Sequence, residues 1–180
     1  LIAVPLAFLL IGAEGARDAK GEGLLTLLLF TPGAYLPILL AHVPSSSSHA
    51  ARWLLDTAPV PRAAISNGAL KAVAVRFLVP LYALLGLLCW SMAGADFALR
   101  LALPAFLVSL LVLRQLVAAA PYEPPLSVPP DEVEAPQSLF QTMLGLGMIL
   151  VIVSLAAAKG ITTLPIAAAV AGALACAELA

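Results

Sequence analysis

Long apolar runs separated by short polar segments are the feature that most constrains this sequence. The clearest run, Leu139 to Ala158, holds no charged side chain and has the length of about 20 residues that an α-helix needs to cross the hydrocarbon core of a bilayer. Hydrophobic residues make up 62% of the chain and charged residues 11%, whereas a soluble domain carries about 25% charged residues. The sequence therefore predicts an integral membrane protein.

The apolar runs predict an all-α fold, a polytopic transmembrane bundle of about six spans with one interfacial amphipathic helix. Six spans use most of residues 1–180, so a single transmembrane domain is expected. Because the first run opens at Leu1 with no methionine or basic segment before it, we expect a span that begins upstream, in a longer protein. The predicted spans are Leu1–Ala13, Leu24–His42, Ala72–Ala95, Phe97–Ala120, Leu139–Ala158 and Ile161–Ala177.

Prolines inside the runs predict bent helices. Pro32 and Pro37 fall within the second span and Pro80 within the third, and a proline removes a backbone hydrogen bond of the helix. Such kinks serve as hinges or open cavities, but proline is also simply frequent in membrane helices. The last two spans are separated by Lys159-Gly160, which predicts a tight antiparallel hairpin.

Residues 43–71 are the most polar part of the first half and are predicted to be a cytoplasmic loop. Ser48 is a suitable N-cap for a short helix that ends before Pro59. Helical spacing on it puts Arg52 beside Asp56, and Trp53 supplies an aromatic anchor, so an amphipathic helix lying at the membrane interface is expected.

The segment 121–137 holds six prolines and four acidic residues, which predicts an extended, solvated connector. Basic residues decide the orientation only narrowly, by five near the loops after the second and fourth spans against four on the other side. Their clustering in the loop 43–71 favours that loop as cytoplasmic. The two sets are Arg52, Arg62, Lys71, Arg76 and Arg114 on the predicted cytoplasmic side, and Arg17, Lys20, Arg100 and Lys159 on the other.

The sequence carries no recognisable motif for catalysis, a metal or a cofactor, and none of these is predicted. His42 and His49 have no acidic or cysteine partner nearby, so they are interpreted as interfacial polar residues. Cys89 and Cys176 lie in apolar runs, where a thiol behaves as a small hydrophobe. A formal net charge of -1 gives no basic field that attracts nucleic acid.

Arg76 and Arg100 are the candidate charges of a substrate path or an interface. Both lie near span ends, where long basic side chains commonly reach the headgroups, so the interfacial interpretation is favoured over a path. Trp53, Trp90 and Tyr82 are candidate interfacial anchors.

One stretch of the predicted cytoplasmic loop has a more specific pattern. It reads Ser48-His-Ala-Ala-Arg-Trp-Leu-Leu-Asp-Thr-Ala-Pro59, then Gly68-Ala-Leu-Lys-Ala72 and Arg76-Phe-Leu-Val-Pro80. This pattern resembles the membrane permease subunits of type-two ATP-binding-cassette exporters. The chain departs from it where Arg52 is inserted before Trp53, and where Leu55 and Asp56 replace an aromatic and a basic residue.

The resemblance implies a permease component of an ATP-driven exporter in the plasma (inner) membrane. Such a component forms part of the substrate path, pairs with a second permease subunit or a second copy of itself, and couples to a separate cytoplasmic ATPase. On this reading Arg52, Trp53 and Asp56 belong to the coupling helix that meets the ATPase.

Two other functions stay open at the level of sequence. A non-catalytic membrane scaffold or accessory subunit requires only packed helices and an exposed connector. A membrane-embedded lipid-modifying enzyme requires acidic or histidine side chains at one depth, and only Glu14, Asp18, Glu22 and Asp96 share a side in the predicted topology.

Overall fold

The computed structural model describes residues 19–45, 52–57, 59–119, 129 and 137–179, and the regular elements over these ranges are all helices. The all-α prediction is therefore confirmed. In chain order the elements are α1 (Ala19–Phe30), a 3-10 turn (Thr31–Tyr35), α2 (Leu36–His42), α3 (Arg52–Thr57), α4 (Arg62–Val73), a π-helical turn (Ala74–Leu78), α5 (Val79–Ala93), α6 (Ala95–Ala119), α7 (Gln137–Gly160) and α8 (Leu164–Leu179).

Four helical stretches are long and apolar enough to cross a membrane, and they match four predicted spans closely. The helices are thus those of an integral membrane protein. The predicted sixth span corresponds to α8, whose apolar part is shorter. The predicted first span lies outside the described residues, so the count of six stays a prediction. The four long stretches are Gly21–His42, Asn67–Ala93, Ala95–Ala119 and Leu139–Gly160.

The first described helix begins earlier than the sequence predicts. The predicted second span begins at Leu24, yet α1 already begins at Ala19. Glu22 lies in its first turn, where a carboxylate is favoured by the positive end of the helix dipole. The Thr26 hydroxyl also donates to the Glu22 carbonyl oxygen, at 2.7 Å. The helix thus begins before the predicted span, because charged side chains are accommodated on the first turn of a helix.

Local sequence explains the two irregular points around α5. Pro80 has no N–H to donate to the carbonyl one turn earlier, and the turn just before it widens to a π-helix in which the Val79 N–H donates to the Ala74 carbonyl. At its other end α5 stops at Gly94, which has a positive φ of 95° and donates its N–H to the Trp90 carbonyl at 3.0 Å. Glycine adopts that conformation without a Cβ penalty, so α6 turns back directly along α5.

Helix α6 is the centre of the bundle, because α1, α5 and α8 all pack against it, while α7 packs on α1 and the 3-10 turn. The expected tight hairpin of α7 and α8 is wrong for the described residues, since the two helices diverge after their turn.

Two arginines of α6 join this helix to α8. Arg100 donates to the carbonyl of Thr162 before α8 begins, and Arg114 donates to the carbonyl of Glu178 at its end, so α6 and α8 run parallel.

Among the glycines that the structure describes, Gly33 in the 3-10 turn has the tightest surroundings. A Cβ atom placed there would lie 2.8 Å from Leu150 Cδ1 of α7 and 3.2 Å from Ser109 Oγ of α6. These distances are below van der Waals contact, so only glycine fits without movement of its neighbours. By contrast, a Cβ atom at Gly145 in α7 meets nothing within 4 Å.

We predict that Gly33→Ala destabilises the bundle by about 1 kcal/mol or more, because the added methyl overpacks the contact with Leu150. The matched control Gly145→Ala leaves stability unchanged or raises it by about 0.5–1 kcal/mol, because alanine is the better helix former. Reversible unfolding in mixed micelles measures both variants. In a Leu150→Ala background, which frees the space, the cost of Gly33→Ala should fall. Equal effects at the two glycines would contradict the packing.

Candidate functional site

The candidate site is the central break, defined here as the 3-10 turn Thr31–Tyr35 that interrupts the first described span. It lies at the middle of the stretch Gly21–His42. Pro32 removes an N–H from the α-helical ladder, and both Pro32 and Gly33 are buried. In a 3-10 turn each N–H donates to the carbonyl three residues earlier rather than four. The Leu29 carbonyl, with Pro32 three residues ahead, therefore loses a regular donor.

A tyrosine from another helix supplies that donor. The hydroxyl of Tyr82 on α5 donates to the Leu29 carbonyl oxygen at 3.0 Å and lies 2.6 Å from Ser109 Oγ of α6. A tyrosine hydroxyl carries one hydrogen, so Ser109 is the donor in the second bond. Three helices are thus joined by one chain of hydrogen bonds at the break.

This connection differs from those of the other buried hydroxyls in the described part of the chain. Thr26 and Ser154 are as buried as Ser109, but each bonds to a carbonyl one turn earlier in its own helix. Only Ser109 among these three reaches a side chain on another helix. The Tyr82 ring also meets Phe106 edge to face, with ring centroids 5.5 Å apart, which fixes the direction of its hydroxyl.

The chemistry that this arrangement supports is hydrogen bonding. The partners of Tyr82 and Ser109 are hydroxyl and carbonyl oxygens, and no group of three or more His, Cys, Asp or Glu side chains comes together among the described residues. A groove of about 200 Å³ lies beside the break between α1 and α7, lined by Leu27, Phe30, Thr31, Ala34, Gly147, Leu150 and Val151. The break thus places polar backbone and hydroxyl groups next to an apolar groove.

The two arginines singled out from the sequence lie at different depths and are not brought together. Arg100 forms an ion pair with Asp96, with Nε 2.8 Å from Oδ2, and donates to the Thr162 carbonyl at 2.7 Å. It therefore joins protein groups at one end of the bundle. Arg76 is exposed on the π-helical turn, nearer the opposite end of the Asn67–Ala93 span.

The predicted coupling residues fall on α3, the helix over Arg52–Thr57. Trp53 and Leu54 are exposed, at 61% and 53% of their surface, and the Thr57 hydroxyl donates to the Trp53 carbonyl. Asp56 lies on the same helix. The predicted N-cap, Ser48, is outside the described residues, and the position of this helix at the membrane interface stays a prediction.

The two side chains that stabilise the break, Tyr82 and Ser109, are not evident from the sequence. Tyr82 was a candidate interfacial anchor, but it is 6% exposed and belongs to the core. Ser109 lies in the middle of an apolar span, where a lone hydroxyl gives little signal. The one usable signal is the Pro32–Pro37 pair inside the second span, which predicts a bend but does not show which residue satisfies the freed carbonyl.

No protein-family model, curated protein or solved structure matches this chain. The interpretation of the break therefore depends on its own geometry and on the residues that form it.

We predict that Tyr82→Phe and Ser109→Ala each destabilise the bundle, and that their effects are coupled by about 0.6–1.7 kcal/mol, the range for hydrogen bonds between membrane helices. The physical reason is that either change leaves a buried oxygen without its partner. A double-mutant cycle in mixed micelles measures the coupling. Tyr35→Phe serves as the matched control, because the Tyr35 hydroxyl is not part of this chain of bonds. Strictly additive effects would contradict the hydrogen bond.

Proposed function

We propose that the chain is a transmembrane permease component of an ATP-driven exporter in the plasma (inner) membrane, with part of its substrate path at the central break. The observation that carries this proposal is the interruption of a buried, apolar span at its middle, where Tyr82 and Ser109 stabilise the irregular turn. The proposal includes six spans within residues 1–180, in which the Leu1–Ala13 run and α8 add to the four long stretches.

Irregular backbone at membrane depth is what makes transport the best-supported function. In hydrocarbon an unpaired backbone group costs several kcal/mol, so broken helices persist only where protein or a water-filled cavity surrounds them. Discontinuous helices of this kind often form the binding sites of transporters. A bundle that served only as a scaffold has no need for a break, whereas a permease uses one to bring polar groups to a path.

The proposed coupling to a cytoplasmic ATPase depends on α3 and on the resemblance over Ser48 to Pro80. An exposed tryptophan and leucine on a short helix between two spans offer a surface that a cytoplasmic ATPase can press on, and Arg52, Trp53 and Asp56 are the proposed contact residues. The amphipathic helix then transmits the movement to the spans that it joins.

The partly uncovered helix α7 supports a second permease subunit or a second copy of this chain. Only 11% of its apolar window is buried. Most of the large apolar side chains exposed on α7 recur every three or four residues, which gathers them on one side of the helix. These are Phe140, Leu144, Met148, Ile152 and Leu155, while Ile149 and Val151 are exposed as well.

We predict that Thr31→Cys, at the groove beside the break, reacts with a small charged thiol reagent in membranes of the native host. The labelling rate should change at least several-fold when cellular ATP is depleted, because a substrate path admits water in only part of the transport cycle. The background carries Cys89→Ser and Cys176→Ser, so that the introduced thiol is the one labelled. Mass spectrometry of the purified chain quantifies the product.

Leu84→Cys is the control for this experiment. Leu84 is 55% exposed on α5 and lines neither the groove beside the break nor the end of the bundle, so lipid should exclude a charged reagent from it and leave it unlabelled. If Thr31→Cys were as unreactive as Leu84→Cys with and without ATP, the proposed path would be wrong.

We also predict that a photo-crosslinking residue at position 53 captures a protein with an ATP-binding phosphate loop in intact cells of the native host. The same residue in place of Leu164, which is exposed at the opposite end of the bundle, should capture no such protein. Mass spectrometry identifies the products. Capture of a partner without nucleotide-binding motifs at position 53 would count against the ATPase and favour an accessory subunit.

A further inference from the structure

A cavity of about 370 Å³ lies at the end of the bundle opposite Gly94, and we name it the end pocket. Its polar lining consists of Asn67, Lys71, Arg114 and Glu178. Asn67 begins one long apolar stretch, while Arg114 and Glu178 lie near the ends of α6 and α8. Because helix ends lie at the boundary of the hydrocarbon core, the end pocket is at the depth of lipid headgroups.

The end pocket combines two cations with a carboxylate that lacks a partner. The Arg114 guanidinium donates to the main-chain carbonyl of Glu178, which leaves most of its five donors available. Lys71 is exposed at the rim. Glu178 Oε2 is shielded from solvent and accepts no hydrogen bond from the described residues. Such an acceptor is costly to leave unpaired, which indicates a donor from beyond the residues that the structure describes.

We propose that the end pocket binds the headgroup of a phospholipid that carries both a phosphate and a protonated primary amine, an ethanolamine phospholipid. The phosphate is held by Lys71 and Arg114, as basic pockets between membrane helices hold lipid phosphates. The amine donates to the Glu178 carboxylate. Leu110 and Leu113, which also line the cavity, meet the first carbons of the acyl chains. This inference does not depend on the transport proposal.

The mixed charge of the end pocket decides between headgroups. A choline headgroup has the same charges but no N–H, so it leaves Glu178 Oε2 without a donor. A glycerol headgroup adds only the negative phosphate and no cation, so Glu178 repels it. An inorganic phosphate fails for the same reason and also lacks the chains that contact Leu110 and Leu113.

Native mass spectrometry of the purified full chain in detergent tests the proposal with dioleoyl lipids at equal concentration. We expect phosphatidylethanolamine to bind about tenfold more tightly than phosphatidylcholine or phosphatidylglycerol, the ratio given by about one charge-assisted hydrogen bond. Soluble phosphoethanolamine should bind more weakly than the lipid. Equal affinity for the three lipids would overturn the proposal, and so would equal affinity for soluble phosphoethanolamine and the lipid, and neither result depends on a variant.

Two substitutions separate the roles of the charges. Glu178→Gln should lower the preference for phosphatidylethanolamine over phosphatidylglycerol about tenfold, because the repulsion of the glycerol lipid is lost together with the anionic acceptor. Lys71→Gln should weaken both lipids several-fold and leave their ratio unchanged. The control Lys159→Gln, at the opposite end, should change neither. An unchanged lipid ratio in a folded Glu178→Gln protein would overturn the assignment of the amine to Glu178.

Discussion

The bundle depends on satisfying backbone polar groups where the first described span is broken. In a bilayer a freed carbonyl finds no water, so a broken helix is stable only if another part of the protein supplies the missing donor. Tyr82 does so for the Leu29 carbonyl, and Ser109 holds the tyrosine. Since these residues come from α1, α5 and α6, the same two bonds that repair the break also fix which helices are neighbours. The glycine at position 33 then lets α7 come close to this junction.

Helix α6 connects this junction to both ends of the bundle. Ser109 lies at the break, Arg100 reaches the main chain before α8, and Arg114 reaches its end. Arg100 thus donates to a main-chain carbonyl just before α8, and Arg114 donates to one in its last turn, where helical carbonyls have no partner within their own helix. These two arginines therefore act in helix packing, so their positions near span ends do not by themselves indicate a substrate path.

How much of this was predictable follows from the kind of interaction involved. Spans such as Leu139–Gly160 depend on length and composition, which the sequence shows directly. The sequence does not show which helix packs against a given span, because apolar faces resemble one another and lipid competes equally for all of them. Hence α7 was expected beside α8 but packs on α1. The bond between Tyr82 and Leu29 joins residues 53 positions apart, and no local pattern around Tyr82 distinguishes a buried tyrosine from an interfacial one.

The junction at the break and the end pocket are close to each other on α6. Ser109 and Arg114 are five residues apart, which is about 7.5 Å along a helix axis, and Leu110 and Leu113 between them line the end pocket. A shift of the 3-10 turn at the break would first displace Ser109 on α6. The next turn of α6 forms one wall of the end pocket. A rigid helix carries such a displacement without needing a separate set of contacts. The proposed headgroup site and the proposed path are therefore linked by one rigid helix, α6, although different residues define each of them.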